Sequence, residues 1–267
     1  MSEQLPSEPS PTKPLPVSAP PRVRDLLRSA PDGPVPVVHQ GPLAVYVEVS
    51  GRCVGLVAAG AAQVPCALRS STRDFTRISL PSLLSAYVDA GVLHIGGRPL
   101  PVGRTVDVRT PRVDLGRIPG MTADSATGVA IPPAPVAEFV AATAPQGIDP
   151  DAVVRLVGRG DGLTPLGDDV LCGWLATHRA AGAATPDVDD AVRRTAHRTT
   201  LLSATMLDCA LHGEVVPEHA AWLRALGTPD EPARAANLIR VGASSGAGLL
   251  AGSRMALAQL TSGALAA

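Results

Sequence analysis

The chain has 267 residues, enough for one large or two modest domains with a real core. Its formal net charge of −1 offers no basic field for nucleic acid or an anionic membrane, and two Phe, two Trp and two Tyr make no base-stacking platform. The single lysine, Lys13, lies in a Pro-rich tail, which excludes Schiff-base chemistry in the body of the chain and an ordinary P-loop.

Residues 1–35 are rich in Pro and Ser and read as a disordered arm, with a short helix expected over Arg22–Ser29. Residues 36–120 read as a β-rich domain, a small barrel or sandwich. Strand-like runs begin at Val35 and Leu43, and Cys53–Ala58 follows a Ser50-Gly51 turn. Further short strands fit Ala67-Leu-Arg, Leu93-His-Ile and Thr105-Val-Asp-Val. One helix is expected among them, Pro81–Ala90, stopped by Gly91.

Residues 121–267 read as a mainly α-helical domain, so the fold class is α+β. Helices are expected over Val136–Ala142, from Asp149-Pro150 onward, over Asp168–Ala181 up to Gly182, and from Thr185 to about Leu211. Val153–Val157 fits either a strand or the continuation of the helix begun at Pro150. Pro217–Leu226, a helix from Thr228 through Ile239, and Leu249–Leu260 complete the set.

Cys53, Cys66, Cys172 and Cys209 are widely spaced in apolar runs, without a Cys-x-x-Cys pair, and are expected to be buried reduced thiols. The first twenty residues have no apolar core, and no run reaches ~18 apolar residues. A cytoplasmic protein without a membrane partner is the expectation.

The chemistry concentrates in Gly158-Arg-Gly-Asp-Gly-Leu-Thr-Pro-Leu-Gly-Asp-Asp-Val-Leu-Cys-Gly173. Gly158, Gly160 and Gly162 allow close backbone approach to a ligand, Pro165 stiffens the far side, and Gly167-Asp168-Asp169 opens a helix with two acids. The spacing is neither a dinucleotide fingerprint nor a P-loop. It suits an anion- or carbonyl-binding loop at a helix N-terminus, and Asp168 and Asp169 are candidates for acid–base work or for holding Mg²⁺. Ordinary capping is the competing explanation.

A second loop, Gly242–Gly248, places Ser244, Ser245 and Gly246 at another helix start, and the two loops are expected to share one pocket. Thr199, Thr200, Ser203 and Thr205 either line a polar seam near these loops or bond the preceding turn of their own helix. Ser71-Thr72-Arg73 is similar to the start of the Ser-Thr-Arg-Thr phosphate site of classical transcarbamoylases. Asp74 follows in place of Thr and no His-Pro-x-Gln element is present, so it is read as coincidence.

Three blocks in this order resemble the AllH family: Gly158–Gly173, Leu202-Ser-Ala-x-Met-Leu continuing to Gly213-Glu214, and Gly242-Ala-Ser-Ser-Gly-Ala-Gly-Leu-Leu-Ala-Gly252. The resemblance is strong over about 153–258 and loose over about 36–118. Where the family pattern has Gly-His-Ser-Ser/Thr-Gly-x-Asp, this chain has Ala243 and Ala247. The resemblance implies a subunit of a carbamoyltransferase of allantoin breakdown, acting on carbamoyl phosphate and a small acid such as oxamate, with other carbamoyltransferase subunits as partners. Fitted to that chemistry, Asp168, Asp169 and Thr164 are the residues expected in catalysis. Gly158, Arg159, Gly160, Gly162, Gly167, Ser244, Ser245 and Gly246 are those expected to bind substrate or anion. The two alanines favour the alternative, a non-catalytic ligand-binding or scaffold subunit.

Overall fold

The computed structural model describes residues 13–75, 85–117, 134–144 and 147–265. The first part alternates β1 (Val17–Ala19), α1 (Pro21–Ser29), β2 (Gly33–Pro34), β3 (Val37–Gln40), β4 (Ala44–Val49), β5 (Arg52–Val57) and β6 (Ala67–Arg69). It continues with β7 (Ala86–Asp89), β8 (Val92–Ile95), β9 (Arg98–Leu100) and β10 (Val102–Thr105). Helices follow: α2 (Ala134–Thr143), α3 (Pro150–Leu156), α4 (Leu166–Ala181), α5 (Pro186–Thr195), α6 (Leu201–Leu211), α7 (Pro217–Ala225), α8 (Glu231–Ile239) and α9 (Ser245–Leu265). The fold is mixed α+β, as the sequence implies.

The strands form two open sheets, not a closed barrel. One has the order β10-β1-β6-β5-β4-β3, the other β2-β7-β8-β9. They share a core in which Val45, Val47, Leu56 and Leu68 meet Val88, Leu93, Ile95 and Leu100, with Val23 and Leu27 of α1. The larger sheet is covered on its other face too. Tyr46, Cys53, Val57 and Cys66 belong to the core of the helical part, with Leu171, Leu175, Leu207 and Leu257. Hence β5 is buried from Cys53 to Val57, the continuous burial of a strand covered on both faces.

Three expectations are corrected. Residues 1–35 are not a disordered arm throughout, because Val17–Ala19 is a buried strand between β10 and β6; the short helix expected from Arg22 is present as Pro21–Ser29. Alternation resolves the proline problem: Leu15 and Val17 donate to the carbonyls of Pro99 and Pro101, while Pro14 and Pro16 take the intervening positions, where no donor is needed. The helix expected over Pro81–Ala90 is a strand where it is described, Ala86–Asp89; residues 76–84 lie outside the described set. Ala90 and Gly91 have φ of 47° and 77° and form the tight turn into β8, so Gly91 is a hairpin residue and not a helix stop. The long helix from Thr185 is two helices, broken at the 3-10 turn Ala196–Arg198 and at Thr199, and restarted by Thr200, whose hydroxyl accepts from the Ser203 N–H.

Val153–Val157 resolves as helix up to Leu156, with Asp149 capping Ala152 N–H and Pro150 at the first position. Helix α4 is the hub: it is buried from Gly167 to His178 and ends on left-handed Gly182. Helix α9 starts at Ser245, earlier than Leu249, and crosses α4 at backbone contact. A Cβ on Gly173 would lie 2.0 Å from Leu249 O, and one on Gly252 would lie 1.8 Å from Val170 O. Only glycine fits at either position.

Candidate functional site

The chain leaves α3 at Leu156 and turns back on itself before α4. Gly158, at φ 73°, rests against the end of the 3-10 turn; a Cβ there would lie 2.4 Å from Arg198 O. The Gly167 N–H donates to Arg159 O at 2.9 Å and closes the loop. Asp168 is pulled inside as a consequence, with no exposed surface. Its Oδ1 accepts from Gly158 N–H at 2.9 Å, and its Oδ2 accepts from the Ser203 hydroxyl at 2.7 Å and from the Thr199 hydroxyl. Burial pushes this carboxyl above its ordinary value, while Thr199, Gly158 and Ser203 pull the other way. One carboxylate thus ties the glycine loop to the start of α6.

Asp169 is in a different situation. It is 5% exposed and lies near the Ser245 hydroxyl, and its Oδ2 is buried without a partner among the described residues. Burial pushes its carboxyl well above the usual range; Ser245 opposes this and the neighbouring Asp168 adds to it. The Thr164 and Ser245 hydroxyls lie 2.9 Å apart. The N-termini of α4 and α9 therefore meet at a cluster of Thr164, Ser245 and Asp169. Two positive helix ends beside a buried acid form a local field suited to negative charge at the loops.

The other expected residues divide sharply. Arg159, Gly160 and Gly162 are exposed, and nothing stands within 4 Å of a Cβ on Gly162. The Gly160 and Gly162 N–H groups have no partner among the described residues, whereas those of Gly158, Gly167 and Gly246 are spent inside the protein. Gly167 and Gly246 pack on the carbonyls of Leu156 and Leu238 and serve close approach, not ligand contact. Ser244 is half-buried, and its carbonyl accepts from Gly248 N–H. The groups at the loops not bonded inward among the described residues are thus the Gly160 and Gly162 amides, beside the Thr164–Ser245 pair, fewer than the residue pattern suggests.

Among the described residues no group of three His, Cys, Asp or Glu side chains gathers as a metal set. The Asp168 oxygens already have protein donors, so of the two acids Asp169 is the candidate for Mg²⁺, with an Oδ2 that has no partner among the described residues. Sequence reasoning underrated Thr199 and Ser203. Their spacing of four was the available signal, and the break at Thr199 turns both hydroxyls onto Asp168.

The three sequence blocks are now contiguous in space: the first and third meet at Thr164–Ser245, the first and second at Asp168–Ser203. Residues 156–257 match the AllH family, described as oxamate carbamoyltransferase subunit AllH. The AllH match runs from the end of α3 into α9, so it spans the whole cluster and leaves the two sheets outside. No curated protein and no solved structure matches the chain. All four cysteines are free and buried, and burial pushes the Cys66 thiol up to about 12. No helix among the described residues is long and apolar enough to cross a membrane.

Proposed function

We propose that the chain is a subunit of a cytoplasmic carbamoyltransferase that moves a carbamoyl group from carbamoyl phosphate to a small amide or amine acid such as oxamate, together with other carbamoyltransferase subunits. The observation that carries this reading is the meeting of the α4 and α9 N-termini at Thr164, Ser245 and an Asp169 oxygen without a partner among the described residues. In the transfer, the carbamoyl carbon–oxygen bond to phosphate breaks and a carbon–nitrogen bond forms. Phosphate leaves, and the attacking nitrogen gives up a proton. The Gly160–Gly162 amides and the two helix ends stabilise charge on the carbonyl or phosphate oxygen. Arg159, exposed on the loop, is a counter-charge for phosphate or carboxylate. Asp169 takes the proton, since a carboxylate with a raised pKa is a better base near neutrality. Asp168 positions the loop through its three donors. The four free thiols suit the reducing cytoplasm.

The test is phosphate release and product formation in a complex reconstituted with the partner subunits. Asp169→Asn is expected to abolish turnover while the chain still folds and assembles. Full turnover by that variant removes Asp169 from the chemistry. A second reading, a non-catalytic ligand-binding or scaffold subunit, is favoured by Ala243 and Ala247 in the third block and by the internal satisfaction of Asp168. It predicts normal turnover by Asp169→Asn, with carbamoyl phosphate or oxamate still raising the melting temperature of the isolated chain.

A further inference from the structure

A cavity of about 560 Å³ opens on the larger sheet and shares no residue with the loop cluster. Its floor follows from strand register. Ser18 of β1 pairs with Arg104 of β10 on one side and with Arg69 of β6 on the other. Residues paired directly across neighbouring strands put their side chains on the same face. Two guanidinium side chains therefore flank one serine in a single row, on Cα positions about 10 Å apart. Ser70 and Ser71 add hydroxyls at the rim, and Gln63 closes one side.

Like charges set in a row across a sheet are unfavourable unless something neutralises them. No Asp or Glu lines this cavity among the described residues. Arg104 makes no side-chain hydrogen bond or ion pair among them. Arg69 donates to Gln63 O at 3.0 Å, but its Nε is buried without a partner. Burial lowers the Arg69 pKa, and the charge of Glu218 works the other way. Ser70 Oγ accepts from Thr72 N–H at 3.0 Å, which leaves its own hydroxyl proton to donate. The site is rich in donors, lacks acceptors of matching charge, and is of the size that small ligands fill.

We propose that Arg69, Arg104 and the hydroxyls of Ser18, Ser70 and Ser71 form a binding site for a small oxyanion, the phosphate or carboxylate group of a metabolite. The anion lies between the two guanidiniums and takes the buried Arg69 Nε–H. This assignment does not depend on the carbamoyl-transfer reading, because it uses other residues on another part of the fold.

Titration calorimetry of the full chain with inorganic phosphate and with oxalate, each against sodium chloride at equal ionic strength, tests the site. One or both oxyanions are expected to bind, and which of them binds identifies the group recognised. Arg104→Ala, at an exposed position that leaves the core intact, is expected to weaken binding at least about tenfold, with partial recovery in Arg104→Lys. Arg194→Ala, an exposed arginine outside both this cavity and the loop cluster, is expected to retain it. Equal heats with chloride overturn the proposal. So does binding that survives Arg104→Ala, or binding lost in Ser245→Ala and kept in Arg104→Ala, which moves the anion to the loops.

Discussion

Asp169→Asn is expected to make the protein more stable at neutral and alkaline pH. The carboxylate is 5% exposed, lies near the Ser245 hydroxyl, has an Oδ2 without a partner among the described residues, and sits beside Asp168. An acid whose pKa is raised on folding keeps its proton in the native state after the unfolded chain has lost it. Stability therefore falls as pH rises above the ordinary value of 3.8, and the full penalty is present once the folded pKa has been passed. Asparagine keeps an oxygen for Ser245 and never ionises. An unsatisfied buried polar group costs about 1–3 kcal/mol, more when charged, so replacing the charge with an amide should return about 1–2 kcal/mol. For a chain of this length that is roughly 3–6 °C in melting temperature. Thermal melts of both proteins from pH 5 to pH 9 should show a gap that widens with pH. If Asp169→Asn melts below the parent at pH 8, the carboxylate has a partner that stabilises its charge, and the burial argument is wrong. Stabilisation together with lost turnover would mark Asp169 as a residue kept for chemistry at the expense of stability.

Asp168→Ala should act in the opposite direction. It strands the Gly158 N–H and the Thr199 and Ser203 hydroxyls, so a loss of about 3–5 kcal/mol is expected in urea unfolding; a loss under 1 kcal/mol would deny the three-way tie. Gly252→Ala puts a methyl group 1.8 Å from Val170 O and should cost about 3 kcal/mol or more by the same measurement, while a near-neutral result would mean that α9 slides freely on α4. His219, buried against Ser253 Oγ at 2.8 Å, is pushed down to about 4 by burial. Its folded pKa lies below the unfolded 6.5, so stability should drop by about 3 kcal/mol as pH falls from 6.5 to 4, and His219→Gln should flatten that part of the profile.

Much of the helical part was legible because its boundaries are marked by local chemistry. Asp149-Pro150 starts α3 and Gly182 ends α4, each through a cap that needs no tertiary partner. The errors arose where one residue type serves two geometries. Gly91 reads equally well as a helix stop or as a hairpin residue, and the choice is made by the pairing of Tyr87 with His94 and Val88 with Leu93. Thr199 and Thr200 look like weak interior helix residues, yet Asp168 and the Ser203 N–H take their hydroxyls and the helix breaks there. The approach of the two glycine loops was readable from their composition. Which amides remained free was not, since that depends on how each loop folds back on itself, with Leu156, Arg159 and Val241 supplying carbonyls and Asp168 a carboxylate. The oxyanion row was invisible in the sequence because Ser18, Arg69 and Arg104 meet only through strand pairing.

The placement of β1 bears on how the protein can be shortened. Its Pro/Ser-rich surroundings invite removal of everything before residue 36 as a dispensable tail. Such a truncation would pull out an interior strand, leave β6 and β10 with bare edges, and uncover the face that α1 shields. The shortened protein should precipitate or self-associate through those edges, whereas removal of the first twelve residues keeps every strand pairing described above.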